Sequence, residues 1–479
     1  MRLVVAELRR HWRLVFGSAV LVALLPAGYI DHTDAGARLL QARALVHGSL
    51  TIPLEWVGDE EAQVHLVELS PGRFRSKYGL GMSVIWLPWV ATAEAVAAVG
   101  GWSFDLVAGA LVSTVNSLIT VVTAISLHWI AGMLGAPIAG RRLAAGAWLF
   151  GTLALPYANS CWSEPAVGLT LLWSFTLPWL GPGTRRFPLA GLLAALMTSI
   201  KPEVSVVLPV LLLSSWLARR SGRAESLGPF TFLSLAAMGP LFEFGRNAWD
   251  YGSLAGSGYN DLGWENPFSS LVQFLVGADL SMPLFSPGLL LALAAIPWVV
   301  RRRALRRMLG LAGGLWLVFL LLYSAWAGSL GGWAFGPRFL VPLLPTTMLF
   351  AAWLPIAGKD VGSRLRMALA VLVLLAALPV SWAGTSVRDH QAIRVAKEAG
   401  TTQIGTQVRL LRLKLERGPS SPELYRVSEF APVTTTGDFT IDHRGFRTFR
   451  FLNHWWALVW AEGLQRSSAA APERAGDSV

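Results

Sequence analysis

The sequence predicts an all-α, polytopic membrane protein, and three observations predict it. Hydrophobic residues make up 53% of the 479 positions and charged residues only 14%, with a mean hydropathy of +0.50, a balance outside the range of soluble domains. Apolar runs close to the roughly 20 residues that cross a hydrocarbon core recur along the chain. The basic residues stand in short clusters beside those runs, as in Arg9-Arg10-His11-Trp12-Arg13, Arg219-Arg220 and the stretch from Arg301 to Arg307, which is the pattern of cytoplasmic anchors. The 22 Trp residues suit the bilayer interface, where an apolar ring carrying one N–H donor is favoured.

This clustering accounts for the net charge of +11 without nucleic acid as a partner. A single cysteine, Cys161, excludes an internal disulfide framework and any multi-Cys metal site.

Taken in order, basic residues precede an apolar stretch over 14–30 with no small-residue cleavage site after it. The reading is an uncleaved first helix with the N-terminus in the cytoplasm. Further spans are expected at 80–99, 106–134, 143–158, 165–181, 187–200, 203–218, 228–244, 283–300, 309–327, 337–357 and 366–384. The total is about 12 crossings, within about 10–14. Basic clusters at 141–142, 185–186, 219–223, 301–307 and 359–366 belong inside. Residues 31–79, 160–165, 245–282 and 328–336 then lie outside. The outward and inward counts disagree between 80 and 134, where an odd number of crossings is needed and two segments are apparent. Either one segment is re-entrant or the 106–134 run counts differently. Residues 1–384 form the transmembrane domain. The tail at 385–479 has mixed charge and is read as an extracytoplasmic appendage with a helical pattern at 401–417 and a disordered last dozen residues.

Function belongs where polar stretches meet on the outer face. After the first helix stands Asp31-His32-Thr33-Asp34-Ala35-Gly36-Ala37-Arg38, running on to His47-Gly48. Apolar residues at 37, 40, 44 and 45 predict an amphipathic helix lying along the membrane surface. Asp34 near its start is a carboxylate available for chemistry, or simply a helix cap. Arg73-Phe74-Arg75-Ser76-Lys77-Tyr78-Gly79-Leu80-Gly81 sets three cations on the outer side, against the positive-inside tendency. Such cations bind a phosphate or anchor the surface. Ser163-Glu164-Pro165 opens an apolar helix, where a carboxylate serves the helix dipole or, pointing inward, a site.

Arg246-Asn247 with Gly256-Ser257-Gly258-Tyr259, Phe285-Ser286-Pro287-Gly288 and Gly331-Gly332-Trp333-Ala334-Phe335-Gly336-Pro337-Arg338 follow. In the last, glycines allow close backbone approach, Trp333 can stack on a sugar ring and Arg338 is an anion partner too expensive for a passive role in a membrane. Lys201 and Glu203 are adjacent in a break between apolar runs and read as satisfying each other.

The order of these motifs resembles the GT-C glycosyltransferases, and is most similar to the bacterial branch of the protein-mannosyltransferase and aminoarabinose-transferase type. The likeness runs over residues 14–357. It implies a sugar donor carried on a polyprenyl phosphate in the bacterial cytoplasmic membrane, an extracytoplasmic acceptor, and a site on the outer face. It implies inverting transfer with Asp34 as general base, Asp31 being the second choice. Phosphate partners are then Lys77, Arg338 and Arg246, while Glu164, Tyr78, Asn247, Tyr259 and Trp333 bind sugar or acceptor. Many relatives carry a second acid where this chain has Ala35, but one carboxylate suffices for a base. No cofactor is required, although Asp31, Asp34, Asp250 and Glu164 form an oxygen-rich set for a divalent cation of the kind other branches use. Two other readings are a transporter or flippase of a lipid-linked substrate, and a non-catalytic assembly protein on the same fold. The first calls for an internal repeat that the chain lacks; the second draws on the missing second acid.

Overall fold

The computed structural model describes residues 33–57, 65–181, 185–220, 227–254, 267–277, 280–326, 334 and 336–386, with the isolated positions 17 and 20. The first span expected at 14–30, together with Asp31, Tyr259, Trp333 and the tail beyond 386, lies outside the described residues, apart from those two positions in the span.

The described chain is mostly helical. It opens with α1 (Thr33–Val46), followed by a small sheet of β1 (Ile52–Pro53), β2 (Leu66–Ser70) and β3 (Arg73–Ser76). The strands are antiparallel in the order β1-β3-β2, with Ile52 opposite Phe74 and Val67 opposite Arg75. The sheet is an addition to the helical expectation for this loop. It also covers α1, which is buried on two faces. Ala35, Leu39 and Ala42 on one face join the main core, while Ala37, Leu40 and Ala44 on the other pack with Ile52, Phe74 and Tyr78 beneath the sheet. Apolar positions at helical spacing on two opposite stripes, most of them alanines, let the helix be covered on both sides. The polar stripe between them carries Asp34, Arg38 and Gln41, spaced four and three apart. Gln41 ties helix to sheet by donating to the Leu50 carbonyl at 2.9 Å and accepting the Ser76 amide at 3.2 Å.

Next come α2 (Gly81–Gly100), α3 (Phe104–Val112) and α4 (Thr114–Met133). α2 ends on Gly101 at φ 64°, whose amide closes on the Ala97 carbonyl, the left-handed stop that glycine adopts without strain. The expected run at 106–134 is α3 and α4, a nearly continuous 30-residue rod of roughly 45 Å, longer than the ~30 Å hydrocarbon core. Only α2 and this rod occupy the stretch where the crossing counts disagree.

The following helices are shorter than a full span: α5 (Ile138–Gly151), α6 (Ala154–Ala158), α7 (Glu164–Thr176), α8 (Arg186–Ile200), α9 (Leu208–Ala218), α10 (Gly228–Ala236), α11 (Met238–Tyr251), α12 (Pro267–Val276), α13 (Met282–Phe285) and α14 (Leu289–Val299). Then come α15 (Arg303–Ala325), α16 (Leu344–Ala351) and α17 (Val361–Ser386), with tight 3₁₀ turns at Pro202–Val207 and Arg338–Leu343. Prolines 165, 209, 229, 283 and 345 stand in the first turns of their helices, where the missing N–H is one that a helix start leaves unbonded. Broken helices are tolerated in a membrane protein only where neighbours re-satisfy the backbone. At the break after α5, the Gly151 carbonyl accepts the amide of Gly288 at 2.7 Å.

Four stretches among the described residues are long and apolar enough to cross a membrane: Gly81–Gly100, Phe104–Met133, Arg303–Ala325 and Val361–Ser381. Four shorter apolar stretches, Arg186–Ile200, Pro202–Ala218, Leu289–Val299 and Arg338–Ala351, accompany them. The chain is membrane-associated, and exposed Leu, Val and Phe side chains along α9, α10 and α17 fit a lipid-facing rim.

Two glycines of the Lys-Tyr-Gly-Leu-Gly motif decide where the sheet meets the bundle. A Cβ on Gly79 would strike the Ser199 carbonyl and stand 3.0 Å from that of Ile200, and one on Gly81 would strike the backbone at 199–200. The segment after β3 thus lies directly on the C-terminal end of α8. Gly79→Ala is expected to cost about 1–3 kcal/mol, because the obstacle is backbone that cannot turn aside. Gly36→Ala in α1, where a Cβ meets nothing, should leave stability unchanged or raise it by up to ~1 kcal/mol. Thermal midpoints of the two detergent-solubilised variants check both.

Candidate functional site

Asp34, Glu164 and Arg338, separated by 130 and more positions in sequence, converge. Arg338 opens the 3₁₀ turn after Gly336, which adopts φ 66° at a point where a Cβ would strike the Phe285 ring; a side chain there would be both strained and obstructed. The turn aims the guanidinium between two carboxylates, with Nη1 3.8 Å from Asp34 Oδ2 and Nε 3.4 Å from Glu164 Oε1. Its Cζ also lies over the Trp162 ring, 4.0 Å from the centroid, within cation–π distance.

Glu164 heads α7 with 1% of its side chain exposed, and its Oε1 accepts a hydrogen bond from Lys201 Nζ at 2.9 Å. Glu203, the sequence neighbour expected to satisfy Lys201, stands farther off at 3.7 Å and is 40% exposed. The expected pair is present but is not the whole account: the lysine also turns inward to Glu164, because the end of α8 packs against α7, where a buried anion offers more than a solvated one. Lys201 also lies over the Phe339 ring at 4.5 Å, and Phe339 stacks on Tyr323 with centroids 4.5 Å apart. Glu164 Oε2 is buried with no hydrogen-bond partner among the described residues. Asn116 of α4 holds the loop that delivers Glu164, its Nδ2 donating to the carbonyls of Ser160 at 2.7 Å and Trp162 at 2.6 Å.

From the other side, Arg38 and Tyr78 close the cluster. Arg38, 3% exposed, places its guanidinium 4.2 Å over the Tyr78 ring, while its Nε and Nη1 hydrogen-bond to nothing among the described residues. Its charge acts on both His65 and Glu164. A buried guanidinium with open donors is costly unless something completes it. His65, just before β2, sets Nδ1 3.4 Å from Asp34 Oδ1 and 2.8 Å from the Tyr78 hydroxyl. Lys77 adds a fourth cation, 5.8 Å from the Tyr78 ring centroid and near enough to act on His65. Arg38, Lys77, Lys201 and Arg338 therefore surround two carboxylates, Asp34 and Glu164.

Five of the expected site residues thus share one cluster: Asp34, Glu164, Tyr78, Lys77 and Arg338. Arg246 and Asn247 belong to the layer behind it. Arg246 Nη2 is engaged by Glu243 Oε2 at 2.7 Å and the Tyr78 carbonyl at 3.1 Å, while Glu243 Oε1 accepts the Leu80 amide at 3.0 Å. This pair clamps the Tyr78–Leu80 backbone through Arg246 Nη2, while Arg246 Nε and Nη1 are buried with no hydrogen-bond partner among the described residues. Asn247 Oδ1 faces Arg75 Nη2 at 3.4 Å, and Arg75 is also paired with Asp250 and bonded to the Tyr251 hydroxyl at 3.0 Å. With Asp250 drawn to Arg75, the expected oxygen-rich set divides, and the charge shared by Asp34 and Glu164 is that of a guanidinium. No group of three or more His, Cys, Asp or Glu suited to a metal occurs among the described residues.

Sequence reasoning passed over Arg38, His65, Lys201, Glu243 and Asn116 as site or supporting residues. Arg38 stands one helical turn after Asp34, a spacing that puts both on one face. Lys201 interrupts an apolar run, and Glu243 with Arg246 forms an i, i+3 pair in another. His65 and Asn116 carry no such mark. Comparison of the chain with protein-family models, with curated proteins and with solved structures gave no match.

Proposed function

We propose that the chain is an inverting membrane glycosyltransferase of GT-C type, built on a bundle of about 12 spans, that moves a sugar from a polyprenyl-phosphate donor to an extracytoplasmic acceptor. The observation that carries this reading is the cluster itself: among the described residues Asp34, a carboxylate at 14% exposure, and Glu164 stand with four cations, Arg38, Lys77, Lys201 and Arg338. A base that must take a proton needs a path to its substrate, and Asp34 keeps one. A departing phosphate needs positive charge already in place, since donors fixed before the reaction cost no reorganisation.

In this reading Asp34 takes the proton of the acceptor hydroxyl as its oxygen attacks the anomeric carbon from the face opposite the phosphate. The new carbon–oxygen bond forms as the bond to the phosphate oxygen breaks, and the electron pair leaves on the lipid phosphate. That group departs as a stable anion, so no acid need protonate it. Arg38, Lys77 and Arg338 neutralise the growing charge, and the free Oε2 of Glu164 accepts from a sugar hydroxyl. The lipid tail lies against the apolar rim of the bundle.

The test is transfer of labelled sugar from a panel of polyprenyl-phosphate sugars in proteoliposomes, with donor retention scored in parallel. Transfer by the wild type supports the reading; retention without transfer by any donor supports a non-catalytic role on the same fold. Failure to retain any donor overturns the assignment. Arg38→Gln is expected to weaken donor retention about 10- to 100-fold, the loss of one or two charge-assisted hydrogen bonds. Unchanged retention would remove Arg38 from the phosphate site.

A further inference from the structure

The transfer step leaves one neighbour of Asp34 without a task. We propose that His65 is a relay residue, which takes from Asp34 the proton collected from the acceptor and passes it to solvent. This rests on the reading of Asp34 as the base.

The geometry carries it. His65 Nδ1 is 3.4 Å from Asp34 Oδ1, within reach of a proton transfer once the contact tightens around substrate. The imidazole is 20% exposed against 14% for the carboxylate, so the dyad opens outward through the ring. The ring plane is fixed by stacking on Tyr78, centroids 5.9 Å apart and tilted 26°, and by the 2.8 Å contact with its hydroxyl. A histidine serving only to pack under the sheet would have no need to present the same nitrogen to a carboxylate.

Among the described residues the charged groups that face the ring are Asp34 and Arg38 from α1, Lys77 after β3 and Arg338 from the 3₁₀ turn. Burial holds the ring below its ordinary value of 6.5, with the three cations adding to the effect and Asp34 opposing it. His65 is accordingly neutral at pH 7 and able to accept a proton. The acceptor O–H bond breaks and Asp34 becomes a carboxylic acid. Its proton then moves to Nδ1 as the Tyr78 hydroxyl turns aside, giving an imidazolium beside a restored carboxylate. The imidazolium loses its Nε2 proton to water, and proton exchange with water then returns the ring to the tautomer that leaves Nδ1 open. One proton leaves per sugar transferred, and both groups end as they began.

The signs of two pH effects follow. As pH falls through the lowered midpoint the ring fills with a proton and cannot accept, so turnover declines on the acid side. The unfolded chain binds that proton at about 6.5 and the folded one only at lower pH, so the stability that neutral His65 lends at pH 7 is lost as pH drops below that value.

The experiment is ring ¹⁵N spectroscopy of histidine-labelled protein in micelles, with His65→Gln assigning the signal, alongside the pH profile of transfer. Asp34→Asn is expected to lower the His65 midpoint further, since it removes the anion that faces the ring among the described residues. His65→Gln is expected to lower kcat about 10- to 100-fold with donor KM unchanged and to abolish the acid limb. A midpoint that ignores Asp34→Asn overturns the dyad whatever the activity, and so does an acid limb that persists in His65→Gln. A midpoint that shifts in a protein transferring no sugar from any donor upholds the dyad and overturns the transferase reading instead.

Discussion

Asp34→Asn is expected to reduce sugar transfer by about 10²- to 10⁴-fold, the range of a lost general base, while leaving the protein folded and able to retain donor. The substitution keeps the shape of the side chain and its carbonyl oxygen and removes only the charge and the basicity. Arg338 loses one of its two anions and keeps the nearer, Glu164 at 3.4 Å, so the guanidinium stays anchored. Arg38 and Lys77 still face the phosphate. The loss should fall on kcat with donor KM little changed, because the base acts only in the transition state. A variant that transfers at the wild-type rate would remove Asp34 from the chemistry, and loss of donor retention would assign it to binding.

Glu164→Gln is expected to produce the largest loss of stability, about 3–5 kcal/mol, because it leaves buried charges uncompensated. The carboxylate is 1% exposed and faces Lys201 at 2.9 Å and Arg338 at 3.4 Å. Without it two cations are held against aromatic rings with Glu203 and Asp34, both farther away, as their nearest acids. Lys201→Gln in the same chain should recover part of the loss, since removing both partners of a buried pair is less harmful than removing one. The double-mutant cycle, read from thermal or denaturant midpoints in detergent, should therefore give a coupling of at least about 1 kcal/mol. A Glu164→Gln protein within ~1 kcal/mol of the wild type would mean that the carboxylate serves only the dipole of α7, which is worth about that much.

These two carboxylates also mark how far the sequence could be read. Asp34, Tyr78, Lys77, Glu164 and Arg338 could be picked out because each stands at the edge of an apolar run, where a charge or a ring of that kind is unexpected. Lys201 could be seen but not paired: its sequence neighbour Glu203 is the obvious partner, and the better one lies 37 positions away on α7. Arg246 was legible as a cation, but its commitment to Glu243 and the Tyr78 carbonyl depends on how α11 meets the strand. α1 was read as a helix with one apolar face; its second face acquires meaning only when the sheet covers it.

What the sequence determined by itself is local. Membrane association, helical character and the approximate helix positions follow from hydropathy and period, which neighbouring residues supply to one another. The tertiary structure decided the pairing of charges, the double burial of α1 and the meeting of His65 with Asp34. Coulombic attraction and desolvation act through space, so which acid a lysine or arginine chooses depends on packing between elements far apart in the chain.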